Sequence, residues 1–205
     1  MKSLIVYDDF YADPDAVRDL VFDMGFEAPD KTNYPGRNST GVFQPAYWLE
    51  LFSDLAGERL VPAKNSHCGG FRIQHAGEAG RQYIHVDLPS LDTRWAGVCY
   101  LTPGWHPDAG TCFWRHRRTG LDALPYDTEW LKTIGIGSAD DLYRFMNTEG
   151  TDPALWTPTS TVGWRWNRLI LFRSNQWHSQ GELFGDSDET GRLIQTFFFE
   201  VEKGP

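Results

Sequence analysis

From Gly70 onward the chain is cut into short β-rich runs separated by turn residues, and this rhythm restricts the fold more than any other feature. The runs cover 71–74, 82–86, 95–101, 111–114, 167–172 and 193–201. Branched and aromatic residues bounded by turn formers at such spacing predict the strands of a sandwich or barrel. Two helices are expected ahead of them. Asp13 and Pro14 supply an N-cap and a proline at the first helical position, and Val17, Leu20, Val21 and Met24 share a face until Gly25. In the second, Trp48, Leu51, Phe52 and Leu55 share a face before Gly57. Both are expected on the outside of a sheet, which makes the chain mainly β with flanking helices.

The rhythm breaks between 120 and 166, where two helical pieces are predicted. One lies near 130–134; the other follows the capping pattern Ser138, Ala139, Asp140, Asp141, with Leu142, Phe145 and Met146 on one face. An insertion of this length inside a sheet is expected to form a lid or a substrate wall. No repeat or linker divides the 205 residues, so 1–205 reads as a single domain, large enough to bury a core without a structural metal or disulfide.

Composition excludes several roles. Cys68, Cys99 and Cys112 are odd in number and lack CxxC spacing, against a disulfide framework or a structural zinc site. A net charge of -9 repels a phosphate backbone, and the Arg115–His116–Arg117–Arg118 cluster is too short to compensate, so no nucleic-acid partner is expected. No apolar run approaches a membrane span, and no membrane partner is expected. The opening stretch Leu4, Ile5, Val6, Tyr7 is interrupted by Asp8 and Asp9, too soon for a signal-peptide core; it reads as the first strand of a cytoplasmic protein.

Side chains two apart on a strand point to one face, so His85 and Asp87 can converge on a metal ion while Ile84 and Val86 face the other way. The bland alternative is a strand-end His and Asp bonded to backbone. Two histidines and one carboxylate cover one face of an octahedral Fe(II) and leave the rest open to co-substrate and O2. His178 is the best third ligand: it follows the apolar run Leu169, Ile170, Leu171, Phe172 and lies 178 - 85 = 93 residues after the first. Fourteen residues further (192 - 178 = 14), Arg192 enters the apolar strand Leu193, Ile194, Gln195, Thr196, Phe197. Burying it requires an anion, and a guanidinium fork matches a carboxylate bidentately. A dicarboxylate co-substrate would supply one.

The sequence resembles the prolyl-hydroxylase-like branch of the 2-oxoglutarate and Fe(II)-dependent dioxygenases. The resemblance rests on His85-x-Asp87, then 95–102, then Gly110 to Phe113, then the run before His178, then Gly191 and Arg192, in matching order and spacing. It implies a double-stranded β-helix (jelly roll), an iron triad of His85, Asp87 and His178, and Arg192 on the distal carboxylate of 2-oxoglutarate. Relatives often place a tyrosine that binds the co-substrate on the strand before the HxD pair. Here that stretch reads Arg72, Ile73, Gln74, His75, and Gln74, His75 and Tyr83 are the substitutes on offer. Halogenating relatives replace the carboxylate ligand by a small residue; Asp87 is intact, which favours hydroxylation.

The expected function is therefore an oxygenase that hydroxylates an amino acid, peptide or other small-molecule C–H bond, using O2 and releasing succinate and CO2. The competing readings are a catalytically silent jelly-roll binding module and a cupin-like metalloenzyme that does not use 2-oxoglutarate. His67, His75, His106 and His116 read first as surface or core histidines; for His116, beside three arginines, the default is a solvated basic turn and the alternative a site for a substrate carboxylate. Arg173 is open between substrate binding and plain exposure, and Trp177, beside a ligand, is expected near the pocket.

Overall fold

A computed structural model describes residues 2–28, 35–64, 66–78, 84–88, 90 and 92–202. Its strands are β1 (Leu4–Tyr7), β2 (Phe26–Glu27), β3 (Arg37–Val42), β4 (Leu60–Pro62), β5 (Gly70–Gln74), β6 (Thr93–Tyr100), β7 (Thr111–His116), β8 (Trp156–Val162), β9 (Leu169–Arg173), β10 (His178–Gln180) and β11 (Arg192–Val201). The helices are α1 (Pro14–Met24), α2 (Trp48–Ala56), α3 (Thr128–Thr133) and α4 (Ala139–Thr148). An eight-stranded sheet runs β1-β9-β6-β11-β5-β3-β2, with β4 also on β11, and faces a three-stranded sheet β10-β7-β8. All of these pairings are antiparallel, and the architecture is the jelly roll.

The central strands β9, β6, β11 and β5 of the large sheet are buried on both faces, and strand alternation decides what each face carries. On β11, Leu193, Phe197 and Phe199 turn outward into a core with Val17 and Val21 of α1 and Trp48 and Phe52 of α2. The intervening Ile194 turns inward, where it meets Tyr100, Phe113, Ile170 and Phe172 between the two sheets. α1 and α2 thus lie on the outer face of the large sheet. α1 begins where the Asp13 carboxylate accepts the Ala16 N–H at 3.0 Å, and α2 ends at Gly57 with a left-handed φ of 72°. Leu20, placed on the inner face of α1 by its spacing, is instead exposed at the edge of that face.

Five strands were hidden in the sequence, among them the two-residue β2 and the three-residue β10. β3 begins at Arg37, inside the turn-like stretch around Pro35 and Gly36. β4 is only Leu60–Pro62. β8 contains Pro158 and shows a mostly exposed face, which a central strand would not tolerate; it is the edge of the small sheet, where a proline removes no required hydrogen bond. Residues 120–166 therefore end in a sheet strand and are only partly an insertion. The expected strand at 82–86 starts in residues outside those described; of the remainder, His85 forms a single bridge to His178. No helix among the described residues is long and apolar enough to cross a membrane.

Candidate metal and co-substrate site

His178 opens β10 opposite Phe113, and Gln180 lies opposite Thr111, so both side chains face the space between the sheets. His85 and His178 exchange two backbone hydrogen bonds of 2.9 Å, which sets their side chains side by side on one face of the small sheet. The Asp87 N–H donates to Ser174 O at 2.8 Å, fixing the second member of the pair. The residues between and before them turn the opposite way: Ile84 and Val86 are buried with Leu124, Ile136, Phe145, Trp156 and Trp177.

The result is a convergent donor set. His85 Nε2 stands 3.5 Å from Asp87 Oδ1 and His178 Nε2 3.2 Å from Asp87 Oδ2. One ligand atom from each of the three residues lies within 4.8 Å of the others. Cis ligands at ~2.1 Å from one ion are about 3 Å apart, so the set needs little rearrangement to close on a metal. His178 Nδ1 is 2.9 Å from Gln176 O. A carbonyl only accepts, so Nδ1 carries a proton, and Nε2 is the nitrogen that would turn its lone pair to a bound metal in place of its contact with Asp87. Burial acts to raise the Asp87 carboxyl, but the charges and hydrogen bonds of His178 and His85 outweigh it and hold the group well below the usual carboxylate range. The Phe172 ring, 4.7 Å from the His178 ring by centroids, packs against the imidazole and restricts its rotation.

Arg192 is 1% exposed, and no carboxylate among the described residues pairs with it. Its Nε donates to Ala109 O at 3.1 Å, Nη1 donates to Gln74 Oε1 at 2.6 Å, and the guanidinium lies 5.3 Å from the Trp164 ring centroid. Burial pushes its pKa down to about 10, with nearby Tyr100 opposing and Arg72 adding to the shift, so it stays cationic at neutral pH. A buried cation held by neutral acceptors is costly unless an anion completes it. One cavity of about 250 Å³ joins Arg192 to His85, Asp87 and His178, with Thr111, Gln180, Arg72 and the apolar Val98, Ile194 and Phe198 among its other walls. The donor set and the buried guanidinium together fit a metal and a small carboxylate ligand.

Not every residue singled out by sequence belongs to this cavity. Gln74 is fully buried behind Arg192, where it accepts from Nη1 and passes its own N–H groups to Pro35 O at 3.1 Å and Gln180 Oε1 at 2.8 Å. His75, one residue on and so aimed to the other side, sits 3.0 Å from Asp188 Oδ1 and does not line the cavity. Tyr83 lies outside the described residues. Trp177 also turns away from its neighbouring ligand, packing 5.0 Å from Trp156 and 5.5 Å from Phe145 by ring centroids. His116, expected in a solvated basic turn, is 1% exposed and 2.8 Å from Glu149 of the segment after α4. Arg173 is neither free nor a pocket residue: it forms a two-pronged pair with Glu58 at 2.7 and 3.0 Å and covers Trp95.

Sequence reasoning missed Gln180, Thr111 and Tyr100. The Tyr100 hydroxyl, 2.8 Å from Thr111 Oγ1, is pushed up to about 12 by burial, and its ring stacks on Trp164 at 4.5 Å. No local period marks them: β10 has no apolar residue for Gln180 to alternate with, and Thr111 and Tyr100 read the same facing inward or outward. The helical part of 120–166 packs on the back of the His85–Asp87 segment, and no residue of that stretch lines the cavity.

The fold is similar to that of several solved oxygenases. HygX from Streptomyces hygroscopicus, with nickel, 2-oxoglutarate and hygromycin B bound, superposes with a TM-score of 0.56 at 11% identity, over 97% of this chain and 83% of that one. The prolyl hydroxylase of Trichoplax adhaerens, in complex with a hypoxia inducible factor peptide fragment, gives 0.52 at 12% identity over 97% and 84%. The non-heme alpha ketoglutarate dependent carbocyclase SnoK from nogalamycin biosynthesis gives 0.54 at 11% over 97% and 80%. At these identities the likeness is one of fold. No curated protein sequence matches the chain. The model of the family of unknown function DUF6445 matches residues 78–199, more than half of the 205-residue chain and a span that includes His85, Asp87, His178 and Arg192. The chain belongs to that family.

Proposed function

We propose that this protein is a 2-oxoglutarate- and Fe(II)-dependent oxygenase that oxidises a C–H bond of a small molecule or peptide. The observation that carries the reading is the shared cavity: three donors that leave half of an octahedral ion open, and a buried guanidinium with no carboxylate of its own among the described residues. Bound together, iron and 2-oxoglutarate supply the oxidising chemistry, in which O2 converts the co-substrate to succinate and CO2 as the substrate is oxidised.

The chain's part is positional. His85 and His178 present Nε2 lone pairs, the second fixed by its Nδ1 bond to Gln176 O, and Asp87 stays ionised beside them. Arg192 takes the distal carboxylate, anchored by Ala109 O and Gln74 so that its remaining N–H groups face the cavity. Val98, Ile194 and Phe198 give the cavity a dry wall, which strengthens the charge interactions inside it. The intact Asp87 leaves no room in the ligand set for a halide and favours hydroxylation. Peptide and small-molecule ligands in the fold neighbours are consistent with either substrate class.

A silent binding module would have no need to keep Asp87 ionised between two histidines, and a cupin-like enzyme without 2-oxoglutarate would have no need for Arg192. The test is succinate formation from 2-oxoglutarate in air with Fe(II), alongside equilibrium binding of 2-oxoglutarate to the Mn(II)-loaded protein without O2. Binding and turnover that both vanish in His178→Ala are expected. Absence of both in the wild-type protein would overturn the proposal.

A further inference from the structure

The amide groups behind Arg192 have their orientations fixed by elimination. A guanidinium only donates, so the atom of Gln74 at 2.6 Å from Arg192 Nη1 is its oxygen. Gln74 therefore turns its nitrogen to Gln180, 2.8 Å away, and Gln180 must present its oxygen in return. That leaves Gln180 Nε2 pointing away from the chain of contacts. It is buried and has no hydrogen-bond partner. An amide N–H in that position is costly unless something supplies an acceptor.

Its position says what could. Gln180 is two residues beyond His178 on β10, on the same face, and lies opposite Thr111. All three line the cavity that holds Arg192. We propose that Gln180 Nε2 is the second donor to the distal carboxylate of the co-substrate, one oxygen going to Arg192 and the other to Gln180. The relay Arg192–Gln74–Gln180 then works as one unit: Gln74 holds the guanidinium and the second amide in a common register, and the dicarboxylate meets the guanidinium and satisfies the Gln180 donor that the protein leaves unmet. The inference rests on the 2-oxoglutarate reading above and assigns to Gln180 the place that relatives give to a tyrosine.

The test uses a pair of ligands that differ only at the far end. 2-Oxoglutarate and 2-oxovalerate both offer an oxo acid to the metal, but the second has a methyl group in place of the distal carboxylate. Their affinities for the Mn(II)-loaded full chain are measured by calorimetry without O2. Gln180→Leu is expected to weaken 2-oxoglutarate about tenfold, as for a lost hydrogen bond to a charged group, while leaving 2-oxovalerate within about twofold. Gln180→Glu, which keeps the shape and turns the donor into an acceptor, is expected to weaken 2-oxoglutarate further and carries the test should the leucine variant not fold. Unchanged 2-oxoglutarate affinity in both variants, or a parallel loss of both ligands, would overturn the assignment of Gln180. A wild-type protein that shows no preference for 2-oxoglutarate over 2-oxovalerate would instead remove the dicarboxylate reading of Arg192, and Gln180 with it.

Discussion

Replacing Arg192 by Met separates a residue kept for a ligand from one kept for the fold. The drop of its pKa from 12.5 to about 10 corresponds to roughly 3 kcal/mol held against the charged form in the folded state. A depressed cation pKa places this cost at every pH below about 10 and relieves it only above, so stability between pH 5 and 9 carries no signature of it. Methionine removes the charge and keeps much of the volume, but strands two acceptors, Ala109 O and Gln74 Oε1, at about 1–3 kcal/mol. The two effects oppose each other. Denaturant unfolding of the ligand-free variant is expected to differ from wild type by less than about 2 kcal/mol. With both proteins loaded with Mn(II), adding 2-oxoglutarate at 100 times its wild-type Kd should stabilise wild type by about 2.7 kcal/mol further and the variant by almost none. A ligand-free loss of about 4 kcal/mol would refute the reasoning, because that is what breaking a buried ion pair costs and would mean that Arg192 already has its anion within the protein.

Other perturbations probe the surroundings. His178→Ala should lower Mn(II) affinity by at least about 100-fold in equilibrium titration while leaving the far-ultraviolet circular dichroism unchanged, since β10 keeps its backbone bonds to His85 and β7. Gly110→Ala should destabilise by about 3 kcal/mol in denaturant unfolding, because a Cβ there would meet Val162 O at 1.9 Å and force β7 from β8. Glu58→Gln should cost about 1 kcal/mol at neutral pH: the Arg173 hydrogen bond, with help from Trp95, depresses the Glu58 pKa against its burial. That contribution is present above the ordinary carboxylate range and fades as pH falls through the depressed value, so wild type and variant should converge in acid unfolding.

The residues that could be read from sequence are those whose partners are implied by a local period. His85 and Asp87 are two apart on an extended segment, and the same alternation that faces them inward buries Ile84 and Val86 behind. Arg192 was legible because charge at the head of an apolar strand has few explanations. Gln180, Thr111 and Tyr100 were not, since a polar inward position looks like a polar outward one until β7, β10 and β6 are set against each other. His116 shows the same limit from the other side: three arginines in sequence suggested solvent, yet Glu149 and the rings of Phe145 and Trp156 close over it from 29 or more residues away. β8 was lost to Pro158, whose meaning depends on whether its strand is central or at an edge.

The segment 84–88 has one face on the cavity and the other in the helical layer, with the Ile84 N–H tied to Gly150 O at 2.9 Å just beyond α4. Packing of this kind is expected to make His85, Asp87 and that layer open together in local unfolding. A change at Ile136 or Phe145, which touch no cavity atom, would alter how often His85 and Asp87 are presented together. If the site holds the proposed metal, drift in α3 and α4 would tune its retention while every residue that meets the ligand stays the same.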